Sequence, residues 1–356
     1  MKKLLGILVV VILFASCNNG NSDKKSDKNK SKTVSITAAG ATFPLPFYNL
    51  AIKNYSKATG ILLTYGGIGS GGGIRSLKDK VVDFGATDAF LSKEKEAGMP
   101  AEIVHVPTCI GAVVIAYNLP GINDLKLSNE NLSDIFMGKI TKWNDQKIQK
   151  NNYEINLPDI DINVVHRSDG SGTTYIFSDY MSKISTNWKE NVGRGKSLKW
   201  PTGMGAKGNP GVAGVVKQTK GAIAYIGSEF AFAQKISFAK IENSAGKYIT
   251  PNLKSISAAA QGQIPADTKI MLTNSSDPNA YPISGFTWLI LYKEQKYANR
   301  TKAQAEETLK FLSWIIEKDA QALAQQVNYA PLPEKTIIQA KEILKTVVFD
   351  GETILK

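Results

Sequence analysis

The segment His166-Arg167-Ser168-Asp169-Gly170-Ser171-Gly172-Thr173-Thr174 gathers a guanidinium, a carboxylate and several hydroxyls on a glycine-rich turn. An apolar run, Ile160 to Val165, precedes it and predicts a strand; Ile176, Phe177, Tyr180, Met181 and Ile184 predict a helix over 175–184. A strand–turn–helix junction aims unpaired backbone N–H groups at one point, with the positive end of the helix dipole behind them. The chemistry such a point supports is anion capture. Arg167 adds a planar fork of donors suited to a tetrahedral oxyanion, and Asp169 is placed to hold that fork.

Two further junctions have the same design. Val34 to Thr37 alternates like a strand, Ala38 to Phe43 is a turn of small residues, and Pro44 and Pro46 open a helix carrying Phe47, Leu50, Ala51 and Tyr55. Thr42 lies at that turn, where it serves either as a ligand group or as a plain helix cap. Ile61 to Tyr65 predicts a strand, followed by Gly66-Gly67-Ile68-Gly69-Ser70-Gly71-Gly72-Gly73 and a short helix from Ile74. Gly67, Gly69 and Gly72 fit a dinucleotide fingerprint, but the next strand follows too soon for a Rossmann crossover. The loop reads instead as an anion-facing helix start with Ser70 as donor. A strand over 81–86 then ends at Thr87-Asp88. An acid among so many anion donors repels any anion that brings no proton of its own. Monohydrogen phosphate can donate to Asp88; sulfate, fully deprotonated at neutral pH, cannot. The plain alternative for Asp88 is a helix cap before Ser92.

The 356 residues exceed one ordinary core and predict two lobes. Hydrophobic content is 43% and charged content 21%, as in globular proteins. The net charge of +12 is compatible with an anionic ligand, but no dense Lys/Arg run with interleaved aromatics points to nucleic acid. Two histidines and two cysteines, Cys17 and Cys109, are too few and too scattered for a metal site, and no cofactor is expected. Cys109, in an apolar run, reads as a buried free thiol. A serine hydrolase or phosphatase using Ser171 or Ser70 needs a base beside the serine, and neither His105 nor His166 is suitably placed; no G-x-S-x-G elbow occurs. No catalytic residue is assigned.

Lys2 and Lys3 precede an apolar segment from Leu4 to Ala15, short against the about 20 residues a membrane span needs. Residues 1–16 read as a secretory signal. Leu13-Phe14-Ala15-Ser16-Cys17 resembles a lipoprotein lipobox, which implies a lipid on Cys17 and an extracytoplasmic, membrane-anchored protein. The polar stretch 17–32 reads as anchor and disordered tether.

Strands and helices alternate through the rest, an α/β pattern. Val104 to Tyr117 reads as two strands with a crossing between lobes near Pro107-Thr108. A helix over 128–137 with Gly138 at its end, a loop over 196–209, a helix led by 211–217, strands at 222–226, 269–272 and 286–292, and helices over 302–317, 319–327 and 334–345 complete the reading. Pro282 marks the return crossing.

Gly40-Ala41-Thr42-Phe43-Pro44, Tyr65 to Ser70, Asp83 to Asp88 and Arg167 to Thr173, together and in order, resemble the phosphate-binding proteins (PstS) of bacterial phosphate ABC transporters. Met137 to Asn144 and Lys199-Trp200-Pro201 add to the likeness, which spans about residues 33–350. It implies a two-lobe periplasmic-binding-protein fold (type II), each lobe a mixed sheet flanked by helices, with lobe 1 from 33–107 plus 282–356 and lobe 2 from 108–281. The implied ligand is inorganic phosphate in the interlobe cleft, and the implied partners are the permease and ATPase subunits of an importer; a monomer is expected. Carried across, Thr42, the Phe43 backbone N–H and Ser70 donate from one lobe, while Arg167, Ser171, Gly172 and Thr173 donate from the other. Asp88 accepts the phosphate proton and Asp169 orients Arg167. Family members often carry serine where this chain has Gly71 and Thr87; Ser70 and Asp88 remain. His166 is expected to face away from the ligand. Receptors for sulfate, molybdate or phosphonate are the alternative within the same chemistry.

Overall fold

Short apolar runs become strands, and most of them join one sheet. The computed structural model describes residues 34–355; the signal segment 1–16, Cys17 and the tether to residue 32 lie outside the described residues. In chain order the strands are β1 (Ser35–Gly40), β2 (Leu62–Gly67), β3 (Phe84–Thr87), β4 (Ile103–Tyr117), β5 (Lys126–Leu127), β6 (Asn163–Arg167), β7 (Met204–Ala206), β8 (Ala222–Gly227), β9 (Ser237–Phe238), β10 (Lys240–Glu242), β11 (Tyr248–Ile249), β12 (Ser284–Tyr292), β13 (Val348–Phe349) and β14 (Glu352–Thr353). The main sheet runs β2-β1-β3-β12-β4-β8-β6-β7, with β9 pairing the end of β4. At one end β2, β1 and β3 are parallel; at the other β8, β6 and β7 are parallel; β12 and β4 run antiparallel between them. These two parallel trios define the two halves. Helices cover them, as α/β architecture requires of strands buried on both faces.

Pro107 and Thr108 do not divide the long apolar run. β4 is continuous over 15 residues, pairing with β12 along its first part and with β8 from Val113 to Tyr117. The register shifts between Thr287 and Trp288, where Cys109 faces the first and Pro107 the second. Thr108 is therefore the extra residue of a bulge, and proline is tolerated where the ladder is already broken.

Other boundaries move for local reasons. The helix after the second glycine loop is Ser70–Lys78, so Gly71, Gly72 and Gly73 are helical rather than loop. A Cβ on Gly73 would come within 2.5 Å of the Gly40 Cα, so glycine lets this helix lie directly on the sheet backbone. The strand before the opening turn ends at Arg167 rather than Val165, and the helix after it is Gly172–Ile184 rather than starting at Tyr175. The segment 269–272 is not a strand; Thr268 and Asn274, with φ of 57° and 55°, bend the chain on either side. The supposed loop over 196–209 contains β7, and the next helix, Gly208–Gln218, starts three residues early. Ser128 caps its helix in a reciprocal box with Asn131, and Gly138 follows with φ of 73°. Cys109 is buried and free. Among the described residues no helix is long and apolar enough to cross a membrane.

Candidate anion-binding site

The parallel strands of both halves point their C-terminal ends at one place, which is where open α/β sheets bind ligands. From the first half come the turn after β1, the Gly69–Ser70 helix start after β2, and Asp88 after β3. Thr42 is 4% exposed and does not cap the neighbouring helix, Leu45–Thr59, whose N-cap is Pro44. Phe43 is fully buried, its carbonyl accepting from the Tyr329 hydroxyl at 2.6 Å. Asp88 is 1% exposed and does not act as a cap either; Ser92 caps the helix Lys93–Ala97. The Ser70 hydroxyl donates to Asp88 Oδ2 at 3.4 Å and accepts from the Asp88 amide at 3.3 Å.

From the second half, β6 ends in Arg167 and the turn leads to the Gly172 helix. Asp169 grips the guanidinium twice, accepting from Nε at 2.7 Å and from an Nη at 2.5 Å, while the Gly208 amide donates to Asp169 at 2.9 Å. Burial alone would push the Asp169 carboxyl up; the Arg167 bonds and charge, with Gly208, override it and hold it below the usual carboxylate range. The other Nη reaches the Thr173 hydroxyl at 3.3 Å. Ser171 caps the helix by accepting from the Thr174 amide at 3.0 Å. The first amides of this 13-residue helix, at Gly172 and Thr173, have no carbonyl within the helix to bind. Tyr225 supports the turn: its hydroxyl accepts from the Arg167 amide at 3.0 Å and pairs with the Thr174 hydroxyl at 2.7 Å. The Tyr225 ring stacks on Phe177 at 4.4 Å and on Trp200 at 5.6 Å. His166 points the other way along the strand and stacks on Trp200 at 4.6 Å.

The two halves meet at these groups. A Cβ on Gly172 would overlap Asp88 Oδ2 and Ser70 Oγ. The Gly71 amide donates to the Gly170 carbonyl at 2.7 Å. Thr42, Ser70, Asp88, Arg167, Asp169, Ser171, Gly172 and Thr173 are thus brought together, with Phe43 next to Thr42 in the chain. Three residues that carry no signature in the sequence join them. Asn209 donates from Nδ2 to the hydroxyls of Thr42 (3.1 Å) and Thr173 (3.0 Å), and its Oδ1 accepts from the Gly227 amide at 3.0 Å. The Thr287 hydroxyl donates to Asp88 Oδ1 at 2.8 Å. Lys196 donates to the Ala89 carbonyl at 3.1 Å. Asn209 sits just inside a helix start in the long Gly/Lys-rich stretch, Thr287 in the middle of an apolar strand; only the fold brings them here.

Burial pushes the Asp88 carboxyl up to about 7, against the pull of Thr287, Arg167, Lys196 and Ser70. A second buried carboxyl, Glu229, is pushed up to about 8 by burial despite its own amide and Ser228. His105 is pushed down to about 3 by burial and by the charges of Lys269 and Lys196; its Nε2 accepts from the Leu91 amide at 3.1 Å, so its role is structural. Neither histidine approaches Ser70 or Ser171 as a base. Among the described residues no group of three His, Cys, Asp or Glu side chains is arranged to hold a metal ion. The arrangement is one of converging donors around one buried acid, which binds an oxyanion rather than attacking a bond.

A PBP superfamily domain profile matches residues 26–319. The phosphate-binding protein PstS of Pasteurella multocida is 42% identical over 326 residues, covering 90% of this chain and 93% of that protein. The chain belongs to the PstS family of phosphate-binding proteins. The PstS of Methanocaldococcus jannaschii is 38% identical over 353 residues, covering 93% of this chain and 90% of its own. Among solved structures, an ancestral soluble variant of the human phosphate binding protein superposes with a TM-score of 0.71 at 20% identity, covering 86% of this chain and 93% of its own. That likeness shows the shared fold, an α/β periplasmic-binding-protein fold. The four segments that carry the resemblance to PstS proteins in the sequence are the ones whose ends converge on Asp88.

Proposed function

We propose that the protein is an extracytoplasmic receptor for inorganic phosphate that delivers its ligand to the permease and ATPase subunits of an ABC importer. It works as a monomer, held at the membrane by a lipid on Cys17 after removal of residues 1–16. Residues 33–107 with 282–356 form one lobe and 108–281 the other, closing on the anion. Thr42, the Phe43 amide and Ser70 donate from the first lobe; Arg167, Ser171, Gly172 and Thr173 donate from the second, with Asp169 orienting Arg167. Asp88 accepts the proton of the bound anion. The process is capture, not turnover, and micromolar affinity requires only about 8 kcal/mol, within reach of charge-assisted bonds to a desolvated anion.

The observation that carries this reading is the carboxyl of Asp88, 1% exposed and surrounded by donors. An acid costs affinity in a site for a bare anion; it gains a partner only if the ligand carries a hydrogen. The test is calorimetric titration of the purified protein, stripped of bound ligand, with phosphate and with sulfate at about pH 8.5, where the Asp88 carboxyl is ionised. Tight one-to-one phosphate binding without sulfate heat supports the reading. Equal binding of sulfate removes Asp88 as the discriminator, and binding of neither ion overturns the reading.

A further inference from the structure

Lys196 lies between the helix Thr186–Asn191 and β7, in the half that carries Arg167. Its carbonyl accepts from the Ser171 amide at 2.8 Å, which ties it to the cap of the Gly172 helix. Its ammonium stands over the Tyr175 ring, 5.5 Å from the centroid, and donates to the Ala89 carbonyl of the other half at 3.1 Å. Ala89 is the residue after Asp88. The ammonium stands against the Tyr175 ring on the Gly172 helix, and the charges felt there are those of Asp88 and of Lys95 on the helix Lys93–Ala97, with the neutral His105 on β4 within the same field. Glu96, nearby, is engaged by Lys269 at 2.5 Å. Asp88 is the carboxylate whose charge favours the Lys196 ammonium, against burial and Lys95.

We propose that Lys196 is a specificity-determining residue of this site: it straps the two halves together beside Asp88 and favours the ionised form of that carboxyl, so that an oxyanion carrying a proton is preferred over a bare one. The inference rests on reading the site as a phosphate site. A nearby cation favours the charged form of an acid, whereas a protonated Asp88 could donate to sulfate. The bond to Ala89 exists only while the halves are together, so it favours the closed state alone. Burial and Lys95 push the ammonium down to about 8, with Asp88 opposing. The strap is charged at neutral pH and is lost above that value.

The test compares wild type, Lys196→Met and Lys196→Arg. Stopped-flow release of inorganic phosphate and titration with sulfate are measured from pH 6.5 to 9.5. Lys196→Met is expected to release phosphate about tenfold faster, the loss of one charge-assisted bond, and to bind sulfate more tightly than the wild type at pH 7. Lys196→Arg restores slow release and the wild-type sulfate affinity. Wild-type release accelerates as pH passes about 8 more steeply than release from Lys196→Arg, because a guanidinium keeps its charge while Asp88 and Glu229 titrate alike in both proteins. That profile decides the matter even if the Met variant fails to fold. Wild-type release rates and wild-type sulfate affinity in Lys196→Met, with the same pH profile in wild type and Lys196→Arg, overturn the proposal and leave the phosphate reading intact. A wild type that binds no phosphate overturns the reading beneath it.

Discussion

Gly172 and Asp88 come from opposite halves, and nothing larger than a hydrogen fits between them: a Cβ on Gly172 would overlap both Oδ2 of Asp88 and Oγ of Ser70. The glycine brings the unpaired amides at the start of its helix directly onto the buried acid. Alanine at this position forces the halves apart while leaving each one's core untouched. Overpacking of this kind costs about 1–3 kcal/mol, so phosphate affinity of Gly172→Ala is expected to fall about ten- to hundredfold by calorimetry, with the melting temperature of the ligand-free protein nearly unchanged. Retained affinity would mean that the ligand-bound arrangement is more open than this one.

Replacing Asp88 by Asn supplies a donor where the ligand's hydrogen now points. Sulfate binding at pH 7 is the expected gain, with weaker phosphate binding beside it. The wild type makes the same point through pH: with Asp88 near 7, sulfate affinity is expected to rise as pH falls from 8.5 to 5.5, because the protonated acid donates. An Asn variant that refuses sulfate and binds phosphate normally would remove the proton-reading role of Asp88.

Glu229 gives a stability prediction of definite sign. Its carboxyl is raised from 4.5 to about 8 in the folded protein, so between those values the folded state holds a proton that the unfolded state has lost. Stability is therefore present at low pH and drains away as pH rises through about 8. The difference between wild type and Glu229→Gln isolates this group from His105 and Lys196, which are common to both. The wild type is expected to lose roughly 3 kcal/mol relative to the Gln variant between pH 6 and pH 9, read from denaturant melts. A constant difference would show that Glu229 is ionised throughout.

Asn209 bonds to both halves at once, through Thr42 and Thr173. Its truncation to alanine leaves two buried hydroxyls and the Gly227 amide short of partners, a cost of about 1–3 kcal/mol. Because the Thr42 bond spans the junction, part of that cost falls on the closed state. Phosphate affinity of Asn209→Ala is expected to drop about tenfold or more, accompanied by a lower melting temperature in the ligand-free form.

The sequence made the second half's turn legible because its parts are contiguous: an apolar strand, Arg167, Asp169, then Ser-Gly-Thr at a helix start. Local punctuation of this kind survives folding. The same logic failed at Gly71 to Gly73, where glycine was read as loop; here it is helix, stripped of side chains so that Gly73 can lie against Gly40. Pro107 misled in the opposite direction, since a proline in a strand reads as a break unless the bulge beside it is known. Asn209, Lys196 and Thr287 were invisible for a different reason. The partners that bring them to the site, Thr42 and Thr173 for Asn209, Ala89 for Lys196 and Asp88 for Thr287, lie 36 to 199 residues away, and no local pattern encodes such a meeting.

β4 is paired along its length, first to β12 and then to β8, so no slack linker separates the ends of the main sheet. Relative movement of those ends is therefore torsion of a shared ribbon, with a rest angle and a restoring force, rather than free swinging. The compliant point of that ribbon is the bulge at Thr108, opposite Thr287 and Trp288. Thr287 is also the residue whose hydroxyl holds Asp88. Twist in the spring is thus felt, one hydrogen bond away, at the carboxyl on which the ligand rests.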